Sequence, residues 1–246
     1  MHAAIPCCKP YDGVMSARAR ELLRGGGVAP SILSADFGRL REQVDEVLAA
    51  GARVIHVDVM DGHFVPPITV GPLVVEALSE TVRAAGGMLE AHLMVERPER
   101  HVEDFIRAGA DSITFHAEAT PHAAYTANLI RESGACVGVA VNPGTPPGAL
   151  AELAELIDVA LCMTVNPGWG GQPFIAHSLE KLPRVRALVG ADVAVEVDGG
   201  IDPLTAPPCA EAGASLFVAG SAIFHAADPA AAYDAIAAAV GVADAA

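Results

Sequence analysis

Val54-Ile55-His56-Val57-Asp58-Val59-Met60 reads as a strand with two unlike faces. Side chains alternate across a strand, so Ile55, Val57 and Val59 share one side, and His56, Asp58 and Met60 share the other. The first side suits packing against helices, and the second carries groups an apolar core would not choose. Downstream, apolar residues at three- and four-residue spacing predict a helix over 72–84, and Leu89-Glu90-Ala91-His92-Leu93-Met94 repeats the strand pattern. Strand, helix, strand in that order is the unit of a parallel sheet.

The unit recurs along the whole chain. Strands are expected over 28–34, 53–59, 88–94, 112–117, 136–141, 159–165, 193–198 and 215–219. Helices are expected over 38–50, 72–84, 98–109, 121–133, 147–157, 177–189, 204–212 and 228–240. Gly-Ala pairs at 51–52, 109–110, 134–135 and 213–214 supply the left-handed residue that ends a helix. Pro207 and Pro208 shorten the helix over 204–212. Eight such units fit one α/β domain, a (β/α)8 TIM barrel, for which about 250 residues is usual. A doubly wound open sheet is the competing architecture. The barrel catalytic domain is placed at residues 28–246. Residues 1–27, ending in Gly25-Gly26-Gly27, show no sustained periodicity and read as a loosely ordered extension. Its removal is expected to leave stability and turnover unchanged.

Of 246 residues, 52% are hydrophobic and 18% charged, enough apolar material for a large core. A net charge of −15 provides no basic stripe for nucleic acid or an anionic membrane. It leaves anionic small molecules possible, because backbone N–H groups can hold phosphate. Five cysteines without metal-site spacing argue against a disulfide framework. No membrane-length apolar run or signal-peptide pattern is present, so a cytoplasmic location is expected.

Barrel chemistry sits at the C-terminal ends of the strands. His56 and Asp58, then Glu90 and His92, then Glu196 and Asp198 all fall on inward faces there. Any one of them alone reads as a buried, hydrogen-bonded core residue. Several carboxylates converging in a low-dielectric interior are costly unless a cation joins them. His56, Asp58, His92 and Asp198 form a mixed nitrogen and oxygen set, suited to one divalent metal, zinc, iron, manganese or cobalt. Glu90 and Glu196 lie one layer deeper, either orienting the ligands or forming a salt-bridged layer. His116 and Asn142 also fall at strand ends, with site-lining and structural roles equally open. Loops at 165–172, Gly199-Gly200 and Gly220-Ser221 follow the sixth to eighth strands, and together they form a candidate phosphate cradle.

From about Val28 to Ala239 the chain resembles the ribulose-phosphate 3-epimerase family. The resemblance is carried by Ser31-Ile32-Leu33-Ser34-Ala35-Asp36-Phe37, by His56 through Pro66, and by His92-Leu93-Met94. It continues in Val165 through Gln172, Glu196 through Ile201, and Gly220 through Phe224. It implies epimerisation at C3 of D-ribulose 5-phosphate through an enediolate. Asp58 and Asp198 would be acid–base residues and metal ligands, with His56 and His92 completing the metal set. Ser31, His92 and Asp198 would contact substrate, as would Gly168, Trp169, Gly170, Gly171, Gly199, Gly200, Gly220 and Ser221 around its phosphate. Met60, Met94 and Met163 would line the pocket, or simply fill core gaps. The family implies a homo-oligomer, a dimer or a hexamer. Four positions depart from its pattern: Pro67 replaces an Asn, Glu90-Ala91 replaces Asp-Val, and Trp169 replaces a Phe. Allulose 6-phosphate epimerisation and a non-catalytic sugar-phosphate-binding barrel are the alternatives.

Overall fold

A computed structural model describes residues 13–241. Its eight strands are β1 (Gly27–Pro30), β2 (Val54–Met60), β3 (Met88–Met94), β4 (Ser112–His116), β5 (Cys136–Val141), β6 (Val159–Met163), β7 (Ala194–Asp198) and β8 (Leu216–Ala219). All adjacent pairs are parallel, in the order β1-β8-β7-β6-β5-β4-β3-β2. A parallel bridge from Ser31 to His56 joins β1 to β2, so the sheet curls into a nearly closed (β/α)8 barrel and is not an open sheet. The helices are α1 (Gly13–Gly25), α2 (Leu40–Ala49), α3 (Pro72–Ala84), α4 (Val102–Ala108), α5 (Ala123–Glu132), α6 (Ser178–Val189), α7 (Ala206–Glu211), α8 (Ser221–Phe224) and α9 (Pro229–Ala239).

The outward strand residues Ile55, Val57, Leu89, Leu93, Ile113, Phe115, Val139, Val195 and Val197 are fully buried beneath the helices in one apolar cluster. This is the two-sided burial expected of parallel strands.

Four details differ from the sequence expectations. The first strand ends at Pro30, because Ser31 accepts from Leu33 N–H and caps a 3-10 turn at Ile32–Ser34. The helix expected over 147–157 is a 3-10 segment, Pro147–Leu153, where Pro146, Pro147 and Gly148 oppose α geometry. The short helix α8, directly after β8, was not anticipated.

The fourth difference concerns the N-terminal extension. Residues 1–12 lie outside the described residues, but Gly13–Gly25 is helical. Ala19 and Leu23 of α1 are buried with Ala29, Val54, Met88, Cys136, Val159, Ala194 and Leu216 at the N-terminal ends of the strands. Arg20 pairs with Asp158 at 2.9 Å, Arg18 donates to Gly86 O, and Arg24 donates to Asp192 O. The helix therefore forms a lid on the barrel floor, opposite the catalytic mouth.

Above the floor lies a polar layer. His56 Nδ1 is 3.1 Å from Glu90 Oε2, Thr114 donates to Glu90 Oε1 at 2.7 Å, and Glu196 Oε1 is 3.6 Å from His56 Nδ1. Gly138 makes room for it: a Cβ there would stand 1.9 Å from Thr114 Oγ1.

Candidate functional site

Strands β2, β3 and β7 bring His56, Asp58, His92 and Asp198 to one point at the C-terminal mouth of the barrel. One donor atom from each lies within 4.8 Å of all the others. His92 Nδ1 is 2.9 Å from Asp58 Oδ1 and 3.6 Å from Asp198 Oδ2. His56 Nε2 is 3.2 Å from His92 Nδ1 and 3.3 Å from Asp58 Oδ1. Ligands about 2.0–2.1 Å from a tetrahedral ion stand about 3.4 Å from one another. The measured spacings bracket that value, so these four residues could hold one metal ion. Glu90 beside the other nitrogen of His56 completes a carboxylate–histidine pair of the kind that orients metal ligands.

The electrostatics point the same way. Burial disfavours ionised Asp58, but His56 and His92 outweigh it and hold that carboxyl well below its usual range. Burial, reinforced by the charge of Asp58, raises Asp198 to about 8. Glu196 is raised by burial and by Glu90. Burial would lower His56, yet Asp58, Glu196 and Glu90 together raise it well above the ordinary imidazole value. His92 is pushed down to about 4 by burial and by the neighbouring His116 and His56, against the pull of Asp58. With no cation bound, the cluster gathers protons to offset its buried carboxylates. A divalent cation replaces those protons with fixed charge.

A cavity opens above Asp58 and Asp198. Met60, Met94 and Met163 line its apolar wall, and Ser31 faces it with a hydroxyl that donates to Asp58 Oδ2 at 2.6 Å. The rim consists of Gly168, Trp169, Gly170, Gly171, Gly199, Gly200, Gly220 and Ser221. Gly199 has φ +121°, and a Cβ there would lie 2.4 Å from Val165 Cγ2, so no other residue fits this close approach. Trp169 is 59% exposed on its loop. Pro67 lies against the same loop, 3.8 Å from where a Cβ on Gly168 would stand. His92 lies apart from the other expected substrate contacts: fully buried behind Asp58, it is not on the cavity wall.

Ser34 and the partners of His116 escaped the sequence reading. Ser34 lines the cavity, with Oγ close to the backbone at Gly170 and Gly220. His116 meets His92 edge to edge, with Nε2 2.8 Å from His92 Nε2, and Glu118 stands behind it. The inward position of His116 on β4 was visible in the alternation, but its partners were not. Asn142, the other strand-end residue noted, contributes backbone contacts to Glu118 and Lys181. Among the described residues Cys136, Cys162 and Cys209 are buried free thiols, and no helix is long and apolar enough to cross a membrane.

Comparison with known proteins bears on the same residues. A family model described as the ribulose-phosphate 3 epimerase family matches residues 27–224. The chain is 48% identical over 205 residues to a ribulose-phosphate 3-epimerase of Bacillus subtilis, covering 82% of this chain and 93% of that one. It is 49% identical over 200 residues to the ribulose-phosphate 3-epimerase of Escherichia coli K12, covering 80% and 88%. A 3-hexulose-6-phosphate synthase from Salmonella typhimurium superposes with a TM-score of 0.66 at 20% identity, over 87% of this chain and 98% of that one, and so shares the fold.

Proposed function

Because the chain belongs to the ribulose-phosphate 3-epimerase family, we propose that it inverts C3 of D-ribulose 5-phosphate to give D-xylulose 5-phosphate. Asp58 and Asp198 are the acid–base pair. The observation that carries this reading is their approach to one point from β2 and β7, which lie three strands apart around the barrel. Carboxyls reaching the substrate from two sides can remove the C3 proton from one face and return a proton to the other. In the metal-free protein their environments differ, with Asp58 held well below its usual range and Asp198 raised to about 8, and a bound cation displaces the Asp198 proton.

The remaining residues bind and orient. Ser31 fixes one oxygen of Asp58, leaving the carboxylate aimed at the cavity. The three methionines exclude water about the reacting carbons. Gly168 to Gly171, Gly199, Gly200, Gly220 and Ser221 bring backbone N–H groups to the rim, where the substrate phosphate is held. His56, Asp58, His92 and Asp198 hold one divalent cation. When bound, such a cation would supply Lewis-acid stabilisation of the negative charge that develops on the ketose oxygen.

Ile68 and Leu73, 81% and 80% exposed close together in sequence after β2, support a homo-oligomer. We place the enzyme in the cytoplasm. Turnover of ribulose 5-phosphate and of a hexulose 6-phosphate by the metal-reconstituted protein tests the substrate assignment. A clear preference in kcat/KM for the pentulose is expected, and a preference for the hexulose would transfer the chain to the sibling specificity.

A further inference from the structure

Beyond the four donors, two further side chains, the buried His116 and then the more exposed Glu118, lead away from His92. His92 Nδ1 faces Asp58 and Asp198, while its Nε2 lies 2.8 Å from His116 Nε2. Both rings are fully buried and lie edge to edge, 20° from coplanar, with centroids 5.0 Å apart. Two nitrogens at that distance share one proton, so one ring donates and the other accepts. If His92 ligates a cation through Nδ1, that nitrogen is bare and the ring proton sits on Nε2. His116 then accepts at Nε2 and carries its own proton on Nδ1.

The far end of the chain fits this order and opposes its reverse. His116 Nδ1 is buried without a hydrogen bond of its own, and the group facing it is Glu118 Oε2 at 3.5 Å. Glu118 is fixed as an acceptor. Its Oε1 receives the backbone N–H of Asn142 at 2.8 Å and the Thr145 hydroxyl, and Lys181 pins the same loop through Asn142 O and Pro143 O. Although burial opposes it, the facing His116 ring, the Thr145 hydroxyl and the Asn142 N–H hold the Glu118 carboxyl down at about 2. The reversed tautomers would aim a His116 lone pair at this carboxylate.

We propose that His116 and Glu118 are positioning residues that hold His92 as its Nε2–H tautomer, keeping Nδ1 free to ligate the cation. This inference rests on the metal reading of the preceding section. Glu118→Gln separates it from simple packing because it preserves shape. The Asn142 N–H needs the amide oxygen on its side, so the amide NH2 faces His116 Nδ1 and reverses the donor order. His116→Phe keeps an aromatic ring in that space and removes the acceptor.

Cobalt(II) titration of the metal-free full-length protein, followed by its visible spectrum, reads the effect. Wild type should take up one equivalent, and each variant should bind about 10–100-fold more weakly, the usual effect of losing a group behind a metal ligand. Nitrogen-15 NMR of the zinc-loaded wild type should find protons on His92 Nε2 and His116 Nδ1, a readout independent of how any variant folds. Glu118→Gln binding within twofold of wild type, or a His116 proton on Nε2, would overturn the relay while leaving the metal site standing. Wild-type protein that takes up no cobalt would remove the metal reading, and the relay with it.

Discussion

Leu23 is fully buried where α1 meets the barrel floor, among Val54, Met88, Cys136, Val159, Ala194 and Leu216. Replacing it with alanine removes apolar surface from that cluster and leaves a cavity beneath the strands. Such core replacements cost about 2–5 kcal/mol. Because α1 is near a chain end and can settle toward the gap, about 2–3 kcal/mol is expected. At about 2–4 °C per kcal/mol for a domain of this size, Leu23→Ala should melt about 4–12 °C below wild type. Leu204→Ala, at an 83% exposed position, serves as the control and should stay within about 0.5 kcal/mol of wild type. Since α1 lies opposite Asp58 and Asp198, turnover well below the melting range should not change. A chain starting at Gly27 should likewise melt early, the reverse of what the sequence alone suggested. If Leu23→Ala melts with the Leu204→Ala control, α1 does not seal the floor and the packing argument fails.

Gly138→Ala should be destabilising by about 1–3 kcal/mol, since its Cβ would meet Thr114 Oγ1 at 1.9 Å and displace the hydroxyl from Glu90. Urea denaturation checks it, and an unchanged midpoint would mean the polar layer yields freely. Metal affinity should rise as pH increases through about 8. Below that pH Asp198 holds a proton that the cation must displace, and the raised pKa of His56 acts in the same direction. Isothermal titration at pH 6, 7, 8 and 9 reads this, and a flat affinity would contradict the protonated ground state. The same raised pKa makes a stability prediction for the metal-free protein. The contribution of Asp198 is fully present below its unfolded value of 3.8 and is lost as pH rises to about 8, so the metal-free melting temperature should fall across that range and level off above it.

The barrel was legible because two periodicities coincide along the chain. On β2, β3 and β7 the period of two placed His56, Asp58, His92 and Asp198 on inward faces, and their meeting follows from strand order. Helix α3 was equally plain, spanning Pro72–Ala84 as its spacing predicted. Helix α1 was not. Its apolar face is short, and nothing in the pattern marks Gly86, Asp158 and Asp192 as the partners of Arg18, Arg20 and Arg24. The His116–Glu118 contact escaped for a related reason. His116 ends β4, and what gives it direction is a carboxylate held by Asn142 and Thr145 from beyond β5. Residue-type patterns identify faces of elements, whereas hydrogen-bond order between elements depends on loops whose course the pattern leaves open.

Exchange of the C3 proton with solvent tests the central claim, that Asp58 and Asp198 divide the two faces of the substrate. Asp58→Asn and Asp198→Asn preserve size and remove one acid–base group each. Both should lose epimerisation, but loss of metal alone would do the same, so occupancy must be confirmed first. With metal in place, each variant should still exchange the proton of the epimer its remaining carboxylate faces, without inverting it, and the two variants should prefer opposite epimers. If both metal-loaded variants exchange and invert both epimers at near wild-type rates, the two-carboxylate assignment is wrong.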